Sequence, residues 1–156
     1  MIRFPVANLA QHPDPIRLAI MQLKLQQIRT DGGTQPRAAL QPEVIREYQE
    51  QMEAGITFPP PTVFFDGQEY WLADGFHRLS ATASAFPSKP IECEVRQGTL
   101  QDAQWFSYSA NRDHGLRRTN EDKRRAVIAA LSHPQGATMS DRHIAEHCGV
   151  NHSTVS

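Results

Sequence analysis

The sequence predicts an α+β protein, a small mixed-sheet domain followed by an all-α segment that carries a helix-turn-helix. Three observations lead there. Up to residue 98, strand-like and helix-like patterns interleave in the order strand, helix, hairpin, helix, strand, which builds a mixed sheet with helices against it. Asp66-Gly67 separates two apolar runs, the mark of a tight hairpin. Beyond Leu100 the pattern is helical, with Thr99, Thr119 and Ser140 placed to cap successive helices.

At 156 residues the chain suits one domain with a small helical appendage. A formal net charge of -1, from 16 Lys+Arg against 17 Asp+Glu, leaves nucleic-acid binding to a local patch. Cys93 and Cys148 stand in no metal or redox spacing and read as buried thiols in a reducing compartment. No apolar run is long enough to span a bilayer. Arg3, Pro5, Asn8, Gln11 and Asp14 interrupt anything resembling a secretory signal. A soluble, cytoplasmic protein is expected, with no membrane partner.

Residues 1–22 read as an N-terminal arm, punctuated by Pro5, Pro13 and Pro15. Pro15 suits the first turn of a short helix ending near Leu23, packed on the domain or on a second protomer. Residues 23–98 form the first domain. Leu23–Ile28 alternates like an edge strand, Asp31-Gly32-Gly33 turns, and Pro36 keeps Thr34–Arg37 extended. A helix over Pro42–Ala54 carries Val44, Ile45, Tyr48 and Met52 as its apolar stripe and stops at Gly55. After the stiff Pro59-Pro60-Pro61 connector come strand Thr62–Phe65, returning strand Glu69–Leu72, a helix running to Ala85, and strand Ile91–Val95. Residues 99–156 are helical: Ala103, Trp105, Phe106 and Tyr108 face inward on one helix, and Ala126, Val127, Ala130 and Leu131 form the stripe of the next. Trp71, Trp105 and Phe106 read as core rather than as stacking platforms.

The chemistry concentrates at Asp74-Gly75-Phe76-His77-Arg78, where a strand becomes a helix with two cationic side chains in its first turn. A helix start directs free N–H groups and partial positive charge outward, which suits phosphate. Gln35 and Arg37, and Asn111 through Arg118, are the other polar stretches at element ends. Converged on one cleft, Arg37, His77, Arg78, Arg117 and Arg118 would grip phosphate oxygens, helped by the amides of Gly75, Phe76 and His77. Asn111 with Asp74 or Asp113 offers oxygen ligands for Mg2+. A plain strand-to-helix turn with a salt-bridged Arg78 explains the same residues. Solvated faces, or direct contacts to DNA phosphates, equally explain Arg117-Arg118 and Lys123-Arg124-Arg125.

At the C-terminal end, Ala145, Gly149 and Val155 have helix-turn-helix spacing: a small residue for close packing, a glycine for the turn, an apolar anchor. Asn151, His152, Ser153 and Thr154 would open the recognition helix and reach base edges or phosphates. A packed helical hairpin without DNA is the plainer reading. Ser156 arrives before that helix completes two turns, which suggests a truncated motif from a longer parent.

Ala73-Asp74-Gly75-Phe76-His77-Arg78-Leu79-Ser80-Ala81 resembles the G-x-[HR]-R-x-x-A box of the ParB/sulfiredoxin superfamily. Gln35-Pro36-Arg37 resembles the QPR element of ParB N-terminal domains. Ser109-Ala110-Asn111-Arg112, the Thr119–Leu131 helix and the helix-turn-helix resemble the later ParB segment. The likeness runs over about residues 23–156 with the elements in order, in the manner of plasmid and phage ParB-like proteins. It implies a ParB/sulfiredoxin-like domain binding a nucleotide, CTP or ATP/ADP, with Gln35, Arg37, Gly75, Phe76, His77, Arg78 and Asn111 at its phosphates and Mg2+ assisting. It further implies a homodimer that binds DNA through Arg117, Arg118 and Asn151–Thr154 in plasmid partition or related DNA transactions. Phe76 stands where sulfiredoxins carry their reactive cysteine, which removes thiol chemistry. Ala110 replaces an acidic residue common before the asparagine, which weakens the metal.

A nucleotide switch with slow or absent turnover is therefore the leading expectation. The alternatives are a nuclease or small-molecule phosphotransferase on the same scaffold, and a DNA binder whose first domain only dimerises. The enzymatic alternative needs an acid or base at the box, where Asp74 and His77 are the candidates, with Asp113 and His114 in the later segment.

Overall fold

The computed structural model describes residues 18–35, 40–110 and 118–156, with the Leu18 side chain excepted. Five strands form one sheet: β1 (Leu18–Leu23), β2 (Ile28–Arg29), β3 (Thr62–Phe65), β4 (Tyr70–Asp74) and β5 (Ile91–Gln97). Their order is β1-β5-β3-β4-β2. The β1–β5 and β3–β4 pairs are antiparallel, whereas β3–β5 and β2–β4 are parallel. The expected α+β class with a mixed sheet is what the chain adopts.

Among the described residues six α-helices complete it: α1 (Pro42–Glu53), α2 (Phe76–Ala85), α3 (Leu100–Ser109), α4 (Asn120–Ser132), α5 (Asp141–Cys148) and α6 (His152–Val155). Each start has a local cause. Pro42 opens α1, where its missing N–H costs nothing. Thr99 with Asp102 and Thr119 with Asp122 form reciprocal capping boxes on α3 and α4. The Ser140 hydroxyl accepts the His143 N–H to start α5.

The sheet is covered on both faces. Val63, Leu72, Cys93, Val95, Met21 and Leu23 alternate onto the face that packs Leu79 of α2. Phe64 and Ala73 point the other way, against Ala103 and Phe106 of α3. The opposite side of α3 turns Tyr108 and Trp105 toward a second cluster of Ala126, Val127, Ala130, Ile144 and Cys148. Trp71, Trp105 and Phe106 are packed, half-buried side chains, as the core reading requires.

Three expectations are corrected. The short helix ending near Leu23 is instead β1 over Leu18–Leu23, paired residue by residue with β5. Its burial alternates, Met21 and Leu23 in, Ile20 and Gln22 out, and that period of two selects a strand. The edge strand expected over Leu23–Ile28 breaks at once. The Gln27 side chain accepts the Lys24 N–H at 2.9 Å, curling Leu25–Gln27 into a 3-10 turn before β2. Leu131 lies outside its helix's buried stripe, 42% exposed. The arm's proline-rich beginning, Pro36-Arg37 and the 111–117 part of the polar break lie outside the described residues.

Cys93 and Cys148 are both buried and unpaired with each other. Burial pushes the Cys93 thiol up to about 12, with nearby Glu92 adding to it. Burial likewise pushes Cys148 up to about 11, partly opposed by Arg118. Unfolded thiols ionise near ~8.5, so folding stability should fall as pH rises from there toward 11. Urea denaturation at pH 7, 9 and 10.5 should show a declining midpoint, and a Cys93→Ala, Cys148→Ala double variant a shallower decline. An equally steep decline in that variant would place the pH dependence elsewhere.

Candidate functional site

β4 ends at Asp74, and Gly75 then takes φ 96° and ψ 33° to swing the chain into α2. That left-handed conformation favours glycine. A Cβ there would also stand 3.1 Å from Arg78 Nη2 and from the Pro61 backbone and ring. Gly75 has no side chain with which to cap the first turn of α2, and no acidic residue lies within that turn. A helix start with no acidic residue in its first turn retains partial positive charge.

The cationic side chains are arranged differently from the expectation. His77 is buried, only 6% exposed, and its Nε2 accepts the Gln41 N–H at 3.0 Å. A ring nitrogen that accepts from an amide carries no proton there, so His77 anchors the start of α1 and is not an outward cation. Arg78 runs back along the connector, donating from Nη1 to the Pro59 carbonyl at 2.8 Å and the Pro60 carbonyl at 3.3 Å. Its Nη2 reaches Asp74 Oδ2 at 3.2 Å. The salt-bridged reading of Arg78 is thus realised, though in a half-buried setting, with the two side chains 17% and 19% exposed. Phe76 packs against the sheet core.

Other expected members are partly in place. The buried Thr34 hydroxyl donates to the Leu72 carbonyl, which sets Thr34 and Gln35 alongside β4. Gln35 is half-buried. Arg37, Asn111, Asp113, His114 and Arg117 lie outside the described residues. Among the described residues no three His, Cys, Asp or Glu side chains gather as a metal site. Asp74, the one described candidate for Mg2+, is committed to Arg78.

An open cleft of ≈ 220 Å³ lies between the end of α1, the proline connector and α2, whose Arg78 and Thr82 line it, with Phe86 just past the helix end. Met52, Ile56, Phe58 and Phe86 give it apolar walls, with Arg78 and Glu92 as its charged edges. The sequence reading missed this cleft and the part played by Pro59 and Pro60. A signal was available: three consecutive prolines supply carbonyls but no N–H, so their acceptors need donors from elsewhere.

In the helical segment, Gly149 takes φ 68° and its N–H closes onto the Ala145 and Glu146 carbonyls, ending α5 as a helix-turn-helix requires. Ala145 is buried and Val155 packs on the helical core. Asn151 caps α6, its Oδ1 accepting the Ser153 N–H at 3.2 Å. Asn151, His152, Ser153 and Thr154 are all exposed. Arg118 is a correction. Expected on a DNA or phosphate face, it is 6% exposed and donates to the Cys148 carbonyl at 2.6 Å and the Tyr108 carbonyl at 3.4 Å. The reason is electrostatic: the last-turn carbonyls of α3 and α5 are negative helix ends, and one guanidinium serves both. Two histidines that the sequence reading did not single out join the same helices. His147 stacks on Trp105 with centroids 4.1 Å apart, its Nε2 2.6 Å from the Trp105 carbonyl. His133 accepts the Gln135 N–H on Nδ1 and donates from Nε2 to the Gln101 carbonyl.

Two solved structures of the C-terminally truncated chromosome-partitioning protein ParB from Caulobacter crescentus match this architecture. The one complexed with CTP-γ-S has TM-score 0.51 at 15% identity, covering 88% of this chain and 74% of that one. The one complexed to the centromeric parS site has TM-score 0.55 at 15% identity, covering 86% and 67%. The chain has a ParB-like fold. Sulfiredoxin from Arabidopsis thaliana also matches, at 22% identity over 54% of this chain and 91% of its own, with TM-score 0.45. No protein-family model and no curated protein matches the sequence. The ParB-like arrangement runs through both the sheet and the helical segment, so the box and the helix-turn-helix belong to one architecture. No helix among the described residues is long and apolar enough to cross a membrane.

Arg118→Met removes the donor from two buried carbonyls while keeping much of the side-chain volume. The expected cost is about 2–3 kcal/mol, read as a lower urea midpoint. A loss below about 0.5 kcal/mol, the scale of an ordinary surface substitution, would mean that Arg118 does not bear on the helical packing.

Proposed function

We propose that the chain is a DNA-binding protein switched by a nucleotide of the CTP or ATP type, acting in plasmid partition or related DNA transactions. The observation that carries this reading is the start of α2 at Gly75, which has no capping side chain of its own, together with an apolar-walled cleft that Arg78 of the same helix lines. A helix start suits phosphate, and a recess with apolar walls and the charged edges Arg78 and Glu92 suits a flat ring with polar rim groups. The matched ParB structures hold CTP-γ-S in one case and the parS site in the other, which supports pairing these two ligands on this fold. The first domain, expected over residues 23–98 and extended back to Leu18 by β1, would bind the nucleotide, and residues 99–156 would present Asn151–Thr154 to DNA. Gln35, Arg37 and Asn111 are proposed to complete the phosphate contacts. A homodimer in the cytoplasm is the proposed working state.

Within the Asp74–Arg78 stretch, binding is favoured over turnover on chemical grounds. A nuclease or phosphotransferase needs a free acid or base. Asp74 is paired with Arg78, and the His77 Nε2 lone pair is occupied by the Gln41 N–H. No step is assigned to Mg2+.

Isothermal titration with CTP, ATP, ADP and GTP, with and without Mg2+, should yield sub-millimolar binding for at least one nucleotide. The same nucleotide should change the affinity for DNA. Heat-silent titrations confirmed by equilibrium dialysis would sink the switch. In DNA titrations against salt, Arg118→Met should keep the wild-type slope, because a buried arginine releases no counterions.

A further inference from the structure

We infer that His147 is a proton-operated clamp: with its imidazole charged it holds α5, and the helix-turn-helix that α5 opens, more tightly to α3 than with the ring neutral. The half-buried ring lies flat on Trp105, 10° from parallel with centroids 4.1 Å apart. Its Nε2 stands 2.6 Å from the Trp105 carbonyl, which can only accept, so Nε2 carries a proton in either state. The second proton goes to Nδ1. His147 thus grips one residue of α3 twice, by its face and by its edge, and both grips strengthen with charge. A cation over an indole face is attracted to it. A charged N–H donor also makes a shorter, stronger hydrogen bond than a neutral one. Finally, His147 lies in the last turn of α5, where a positive charge meets the negative helix end.

The neighbouring groups decide the sign. Among the described residues, α3 brings Tyr108 and Asp102, the latter bound to the Thr99 N–H. Burial pushes the Tyr108 hydroxyl up, as it does the Cys148 thiol, so neither gains charge between about pH 5 and 8, where imidazoles titrate. From α4 and its flank come Arg118, which opposes a second cation, and the Asp122 carboxylate, which accepts the Thr119 N–H. Glu146 precedes His147 and favours its charge, while His152 of α6 and the α4 cations Arg124 and Arg125 are exposed and screened by salt. One arginine is thus set against an indole face, a helix end and a carbonyl, and the charged ring is the better clasp. His133 is the contrast. It meets the same indole with centroids 5.4 Å apart, but its Nδ1 accepts the Gln135 N–H and its Nε2 donates to the Gln101 carbonyl. A second proton on that ring would confront an N–H, whereas on His147 it reinforces the contacts with Trp105.

Trp71 and Trp105 are the chain's two tryptophans, so Trp71→Phe isolates the emission of Trp105. A charged imidazole stacked on indole quenches it, and emission in that background should fall as pH drops from about 8 to about 5. His147→Gln should abolish the titration while keeping a donor for the Trp105 carbonyl, and His133→Gln should leave it in place. Emission that still titrates in His147→Gln would overturn the assignment of the proton to His147. Urea denaturation supplies the energetic arm. The clamp's contribution is full while the ring is charged and is lost as pH rises through the imidazole range. The gap in midpoint between wild type and His147→Gln should therefore be about twofold wider near pH 5.5 than near pH 8, the ratio of charged to neutral hydrogen bonds. A constant gap, or one that narrows in acid, would overturn the clamp, since Arg118 would then outweigh the indole and the helix end. NMR of the imidazole carbons gives the same reading in the unsubstituted protein: a His147 ring still neutral at about pH 5 would likewise overturn it.

Discussion

One ten-residue helix has to satisfy two cores at once. α3 lays Ala103 and Phe106 on the sheet and turns Trp105 and Tyr108 toward α4 and α5. A helix with apolar groups on two faces can be buried only between two partners, so its sequence obliges the sheet and the helix-turn-helix to share it. Its carbonyls are shared as well. Gln101 and Trp105 receive His133 and His147, and Tyr108 receives Arg118. In a low-dielectric interior such charged or fixed donors hold direction as well as distance.

The candidate site follows from a comparable economy at the other end of the sheet. Gly75 allows the turn, the turn brings α2 over the proline connector, and the connector's unsatisfied carbonyls draw Arg78 back to themselves. His77 is drawn inward by the Gln41 amide, tying α1 to α2. His77 and Arg78, which look cationic in sequence, are thus engaged in holding neighbouring elements in place.

The elements were largely legible because local signals agreed. Capping residues at Thr99, Thr119 and Ser140, the hairpin at Asp66-Gly67 and the glycine at 149 each fix a boundary through short-range chemistry. What failed depended on distant partners. Leu18–Leu23 has enough apolar residues for a short helix, and only pairing with β5, some seventy residues on, makes it a strand. Arg118 reads as a surface cation until Cys148, thirty residues later, supplies its carbonyl. At the box, residue types were informative about location and misleading about direction, because side-chain aim is set by acceptors such as Pro59 and Pro60 that carry no charge to announce them.

The sharing of α3 has a mechanical corollary. With Arg118, His133 and His147 pinning its carbonyls, α5 cannot slide or swivel independently of α3 without breaking buried polar contacts. The turn at Gly149 and the exposed Asn151–Thr154 are therefore carried like the tip of a lever whose short arm rests on the sheet. Phe106 meets Phe64 of the sheet with ring centroids 5.5 Å apart, so the helix that holds α5 is itself seated on β3.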